Sequence, residues 1–236
     1  YNTKATFFML GWIAENYPSL TKNIFEKGHE LATHGYDHSL VYNQTPKQFK
    51  KGLQKAINSI EKITGTAIIG YRAPSFSIKQ DCVWAFDILT ECGLKYDSSV
   101  FPTLRGQGGM TSGKYKQTHI YEINTNNGNL IEFPMSVVKT LIKDIPICGG
   151  GYFRIFPYSI TNWGIKKYNL KEQHPVIFYL HPRDIDPEQP RLQLPFYRRF
   201  KSYTGLKNCE KKLRKLLENH SFAPVKNVLQ MQGFDI

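Results

Sequence analysis

The constraint that most limits the fold of this chain is a repeated unit: a short apolar run, a polar residue at its end, then a capped amphipathic helix. Ala5 to Leu10 reads as a strand. Pro18 opens a helix to about Lys27, with Leu20 and Ile24 on one face and Gly28 as its stop. Glu30 to Thr33 is a second strand and delivers His34 at its end. Thr45-Pro-Lys-Gln48 is a capping box; the helix behind it carries Phe49, Leu53, Ile57 and Ile60 on one face and ends near Gly65. Ala67 to Tyr71 is a third strand, followed by Arg72-Ala-Pro-Ser75. Ser77-Ile-Lys-Gln80 reads as a second capping box, for a helix burying Val83, Phe86 and Leu89 before Gly93. Leu94 to Tyr96 is a short strand ending at Asp97, and Pro175 to Leu180 a last strand ending at His181. Strands alternating with helices predict a parallel α/β architecture, in which chemistry collects at the carboxyl ends of the strands. His34, Arg72, Asp97 and His181 all fall there.

Between about Phe101 and Asn169 the rhythm breaks. A β-rich insertion is expected, with a hairpin at Asn126-Asn-Gly128 and a helix from Pro157 to about Tyr168. Cys148-Gly-Gly-Gly151 lacks the Gly-Lys-Ser/Thr of a phosphate loop, so its glycines point to tight backbone packing, with Arg154 beyond them as a substrate contact. Asn208 to Leu217 reads as a surface helix. At 236 residues the chain is one domain, with residues 101–169 inserted and 183–236 as a C-terminal extension.

The net charge of +12 suits anionic surroundings. The basic residues are spread out and no nucleic-acid module is visible. No apolar run reaches the ~20 residues that span a bilayer. The chain opens on Tyr1 directly before a strand, without a leader region, which suggests that an N-terminal piece is missing. Cys82, Cys92, Cys148 and Cys209 make no Cys-x-x-Cys pair and read as packed, reduced thiols. Trp12, Trp84 and Trp163 are expected in the core, Trp163 because of its helical spacing.

His34-Gly-Tyr-Asp-His38 can aim two imidazoles at one metal ion, and a zinc hydrolase site needs three ligands and an open position. Thr6-Phe-Phe-Met-Leu-Gly11, the segment from Gly28 to His38, Gly70-Tyr-Arg-Ala-Pro74 and Phe178-Tyr-Leu-His181-Pro182 occur in one order. Together they resemble the polysaccharide deacetylases of the NodB-homology type (carbohydrate esterase family 4). Gly149 to Arg154 and Tyr179 to Pro187 resemble a bacterial, exopolysaccharide-associated subgroup with an extra C-terminal region.

The resemblance implies a deformed (β/α) barrel of about seven strands and metal-assisted hydrolysis of acetyl groups on a hexosamine polysaccharide. It implies a divalent metal, zinc above others, with His34 and His38 as ligands. Arg72 would orient the catalytic base, and His181 would protonate the leaving amine. Asp97 would tune that histidine, or else only cap the following turn. The backbone N–H of Ser75 would serve the oxyanion, Leu180 would line the acetyl pocket, and Tyr36 would face substrate. The family's acidic pair, base and third ligand, would lie upstream of Tyr1. Without it, the chain alone is expected to bind metal weakly and catalyse poorly. Hydrolysis of a small non-sugar amide and a catalytically dead sugar-binding barrel are the rival readings.

Overall fold

The computed structural model describes residues 1–103, 106–139, 144–147 and 149–236. Cys148 and its expected thiol lie outside them. Two compact units are present: Asn2–Met135 with Phe222–Ile236, and Ser136–Ser221 with Tyr1.

In the larger unit, β1 (Thr6–Met9), helices α1 (Gly11–Asn16) and α2 (Pro18–Glu26), β2 (Glu30–Thr33), α3 (Pro46–Thr64), β3 (Gly70–Tyr71), α4 (Trp84–Glu91), β4 (Tyr96–Asp97) and the hairpin β5 (Tyr121–Thr125) and β6 (Gly128–Glu132) follow in chain order. The sheet order is β1-β2-β3-β4-β6-β5. Every neighbouring pair is parallel except β5 with β6, so the hairpin supplies both the fifth parallel strand and the antiparallel edge. The chain is α/β with a parallel sheet, as its pattern predicts.

Helix α3 shows why. Thr45 Oγ1 accepts from the Gln48 amide and the Gln48 side chain answers the Thr45 amide, closing the capping box. Gly65 takes the left-handed C-cap at φ 66°. Phe49, Leu53, Ile57 and Ile60 are buried, and with Leu31, Tyr71, Phe86 and Leu89 they belong to the core. Four such side chains each contribute roughly 1.5–3 kcal/mol of burial.

Other expectations need correction. Ser77 caps no helix: its Oγ accepts from the Val41 amide, and the next helix begins only at Trp84 after a 3₁₀ turn. Leu20 is exposed on α2 and Thr21 is the buried residue, because α1, unseen in the sequence, packs beside it.

The smaller unit holds the antiparallel pair β7 (Val137–Val138) and β8 (Ile145–Pro146), then α5 (Gly150–Ile155), α6 (Tyr158–Lys166), α7 (Phe196–Tyr203) and α8 (Leu206–Asn219). The last helix, α9 (Val225–Met231), returns to the larger unit, where the Val225 and Lys226 amides donate to Thr6 Oγ1 and Glu30 Oε2. Among the described residues, the strand expected at Pro175 to Leu180 is an extended run with one bridge, Tyr179 to Gly149.

Candidate functional site

His34 sits one residue past β2, its amide donating to Met9 O at 2.8 Å and so continuing the pairing with β1. Its ring Nδ1 lies 2.6 Å from the Arg72 carbonyl oxygen. A carbonyl only accepts, so Nδ1 must carry a proton, and in the neutral ring the lone pair is then on Nε2. This is the outer-shell arrangement that prepares an imidazole to hold a metal. Gly35 (φ 78°) turns the chain and His38 itself adopts φ 65°, which costs a non-glycine residue roughly 1–2 kcal/mol. The turn brings the two rings to 5.1 Å between centroids, at 74° to each other. Asp37, between them, spends Oδ1 on the Ser39 amide. Among the described residues no group of three His, Cys, Asp or Glu side chains converges as a metal site. The two histidines therefore fit part of a zinc site by their donor chemistry.

Arg72 is buried at the end of β3. Its Nε donates to Ser98 O at 2.9 Å, Nη2 to Ser98 Oγ at 2.7 Å, and the guanidinium lies over the Phe8 ring. Asp97, at the end of β4, is fully buried and accepts from Ser99 Oγ. Its neighbour in register on β6 is Glu132, also fully buried, whose Oε1 accepts from the Val100 amide. Burial raises the Asp97 carboxyl to about 6, against the opposing pull of Glu132, the Ser99 hydroxyl and Arg72. Burial first, and Asp97 second, raise Glu132 well above the carboxylate range. Sequence reasoning missed Glu132; the available signal was an acid ending the apolar run Leu130-Ile131.

Ser75 and Phe76 both take positive φ, 55° and 56°, directly after Pro74. Consecutive left-handed residues without a glycine are a local strain of the kind that collects at functional turns. The turn's own hydrogen bonds come from the Phe76 and Ser77 amides to Ala73 O and Pro74 O, and the Ser75 amide is not one of them. Gly108 braces the turn: a Cβ there would stand 2.1 Å from Phe76 O and 2.4 Å from Ser75 O. Tyr36 is half-buried, its hydroxyl on Glu15 and its ring under Lys55.

In the smaller unit Leu180 is half-buried and the His181 side chain half-exposed. Its ring meets Tyr179 edge-on and Asp184 Oδ2 at 3.4 Å. Arg154, expected to touch substrate, is an internal tie instead. It is buried, with Nε on Asp184 Oδ1 at 2.9 Å and its outer nitrogens on the carbonyls of Lys201, Ser202 and Thr204 at the end of α7. Trp12 and Trp163 are about half-exposed, against expectation, because α1 and α6 bury their other faces. Cys82, Cys92 and Cys209 are free, and burial pushes their thiols up, Cys209 to about 11.

Residues 1–96 match the family model described as polysaccharide deacetylase, and residues 98–230 match a domain of unknown function, DUF3473. The chain is 34% identical over 105 residues to a peptidoglycan deacetylase of Helicobacter pylori, covering 42% of this chain and 33% of that protein. It is 36% identical over 97 residues to the peptidoglycan deacetylase-like protein FGM2 of Gibberella zeae, covering 41% and 28%. The chain thus spans about a third of the length of these curated relatives. In fold it is similar to a candidate polysaccharide deacetylase from Mycobacterium smegmatis (TM-score 0.61, 19% identity, 98% of this chain and 72% of that one). It is equally similar to Puue allantoinase (TM-score 0.61, 14% identity, 97% and 67%).

Proposed function

Because the chain belongs to the polysaccharide deacetylases of carbohydrate esterase family 4, with the DUF3473 region as its second half, we propose that it serves the hydrolysis of N-acetyl groups on a hexosamine polysaccharide. The observation that carries this reading is the His34 ring, seated by Nδ1 on the Arg72 carbonyl and brought within 5.1 Å of the His38 ring between centroids by the turn after β2. The peptidoglycan and chitooligosaccharide deacetylases among its relatives support a polymer of acetylated glucosamine as substrate.

His34 and His38 would hold a divalent metal, zinc by their nitrogen donor set. Bound there, the metal would polarise the acetyl carbonyl and lower the pKa of a water to ~7. The chain's own residues supply the rest. The Ser75 amide, in the turn of positive φ, would serve as a donor for the oxyanion, where a preorganised N–H is worth roughly 3–4 kcal/mol. Arg72, held by Ser98, keeps a fixed positive charge at the end of β3. By the family resemblance, His181 would protonate the departing amine and Leu180 would line the acetyl pocket. Tyr36 borders the histidine pair from the same loop. A role in exopolysaccharide or cell-wall metabolism follows from the polymer.

The test is acetate release from N-acetylglucosamine oligomers by the full-length protein, before and after chelation and with zinc restored, beside a panel of small amides. Zinc-dependent release abolished in His34→Ala and His181→Ala supports the reading. Hydrolysis confined to small amides overturns the substrate, and saturable glycan binding without acetate release overturns the activity.

A further inference from the structure

The segment Tyr179-Leu-His-Pro-Arg-Asp184 contains a carboxylate that neither the motif pattern nor the family match assigns. Asp184 is buried and pinned at both oxygens. Oδ1 accepts from Arg154 Nε at 2.9 Å, and Oδ2 accepts from the His181 amide at 2.9 Å. The Asp184 amide in turn donates to His181 O at 2.8 Å, closing a reciprocal loop over Pro182 and Arg183. Gly150, at the start of α5, presses against the carboxylate so closely that a Cβ would lie 1.9 Å from Oδ2. The carboxylate can therefore neither rotate nor retreat, and Oδ2 remains 3.4 Å from the His181 ring Nδ1.

We propose that Asp184, anchored by Arg154, is the positioning residue that fixes the His181 imidazole with Nδ1–H towards the carboxylate and Nε2 turned outward, where the second proton of the imidazolium is carried to the departing amine. This rests on the reading of His181 as the acid of the reaction. An ionised carboxylate can only accept, so the nitrogen facing it must be the protonated one. Asp184 stays ionised: burial pushes its carboxyl up, but the His181 ring and amide and the Arg154 guanidinium outweigh burial and hold it below its ordinary value. The other titratable group facing it is the Cys209 thiol from α8, which is neutral. The Tyr179 ring meets the imidazole edge-on, at 5.9 Å between centroids. Wrong-tautomer placement of a catalytic histidine removes turnover while leaving substrate binding intact.

The test is nitrogen NMR of histidine-labelled full-length protein at a pH where the rings are neutral, with His181 assigned by its loss in His181→Asn. The expected wild-type signature is Nδ1–H. In Asp184→Asn the amide can donate to Nδ1, so the ring should shift towards Nε2–H, and kcat should fall by about 10²-fold with KM nearly unchanged. A wild-type ring protonated on Nε2, or a tautomer identical in wild type and variant, overturns the inference. Should Asp184→Asn fail to fold, the wild-type tautomer alone decides. A wild-type protein with the Nδ1–H signature but no acetate release sinks the proposed reaction instead and leaves the positioning intact.

Discussion

Asp97 and Glu132 are opposed carboxyls on adjacent parallel strands, in register and both sealed from solvent. Asp97 Oδ2 and Glu132 Oε2 receive no N–H or O–H from any other described residue. A single proton held between them gives each a partner. It also balances charge, since Arg72 supplies one positive group against two acids. Tyr71 and Tyr121 face the pair, and burial first, then the neighbouring carboxylates, keeps both phenols neutral.

A pH dependence of stability follows. Asp97 is raised from 3.8 to about 6 and Glu132 lies well above its ordinary value, so the folded chain holds protons that the unfolded chain has released. The pair's contribution is complete below about pH 4 and is lost as the pH rises through 6 and beyond. Each proton retained adds a slope of about 1.4 kcal/mol per pH unit. The side-chain amide that Glu132→Gln introduces cannot ionise and can still donate to Asp97. Denaturant unfolding at pH values from about 5 to about 8, a span of about three units, should give a shallower fall for the variant than for wild type. Parallel curves would exclude a shared proton.

Zinc affinity should depend on the two histidines and not on the acid between them. His34→Ala and His38→Ala remove nitrogen donors, and each should weaken binding by more than the roughly 10–100-fold typical of an outer-shell loss. Asp37→Asn should stay within about twofold, because an asparagine Oδ1 can still accept from the Ser39 amide. Calorimetric titration of the full-length protein decides it. A loss in Asp37→Asn as large as in His34→Ala would make Asp37 a ligand.

The Ser75 turn offers a second probe of the chemistry. Gly108→Ala forces a methyl group against the carbonyl oxygens of Ser75 and Phe76, which must move. A displacement near 1 Å of a group serving the oxyanion costs about 10²-fold in turnover. The expected result is kcat down by that order with KM little changed. Unaltered kcat in a folded variant would remove Ser75 from the mechanism.

Legibility in the sequence followed the range of the interaction. Helix α3 was readable because its cap, apolar face and stop all lie within twenty residues of one another. The hairpin at Asn126-Asn127 was readable for the same reason. Ser77 misled because its hydroxyl is spent on Val41, thirty-six residues earlier, an option that a local capping pattern cannot reveal. Arg154 misled likewise: an arginine after three glycines looks like a ligand contact until the carbonyls at 201–204 are seen to claim it. His34, Arg72 and Asp97 were found at strand ends because strand-end position is itself a local signal. Glu132 and Asp184 escaped because their meaning lies in partners that only the fold supplies.

The triple glycine separates a steric requirement from mere helix composition. Gly150 and Gly151 are consecutive residues of α5, and neither needs positive φ. Alanine at Gly151 meets nothing within 4 Å and gains helix propensity, so Gly151→Ala should leave stability unchanged or raise it by up to about 1 kcal/mol. Alanine at Gly150 would stand 1.9 Å from Asp184 Oδ2, an atom that cannot yield while Arg154 and the His181 amide hold the carboxylate. Gly150→Ala should therefore cost about 1–3 kcal/mol, the range for forcing a methyl into a filled site. Asp184→Asn in the same background should not recover it, since the amide occupies the same space. Thermal or denaturant unfolding of the two alanine variants decides the matter. Equal stability would show that Asp184 can give way, and with it the rigid seat of His181.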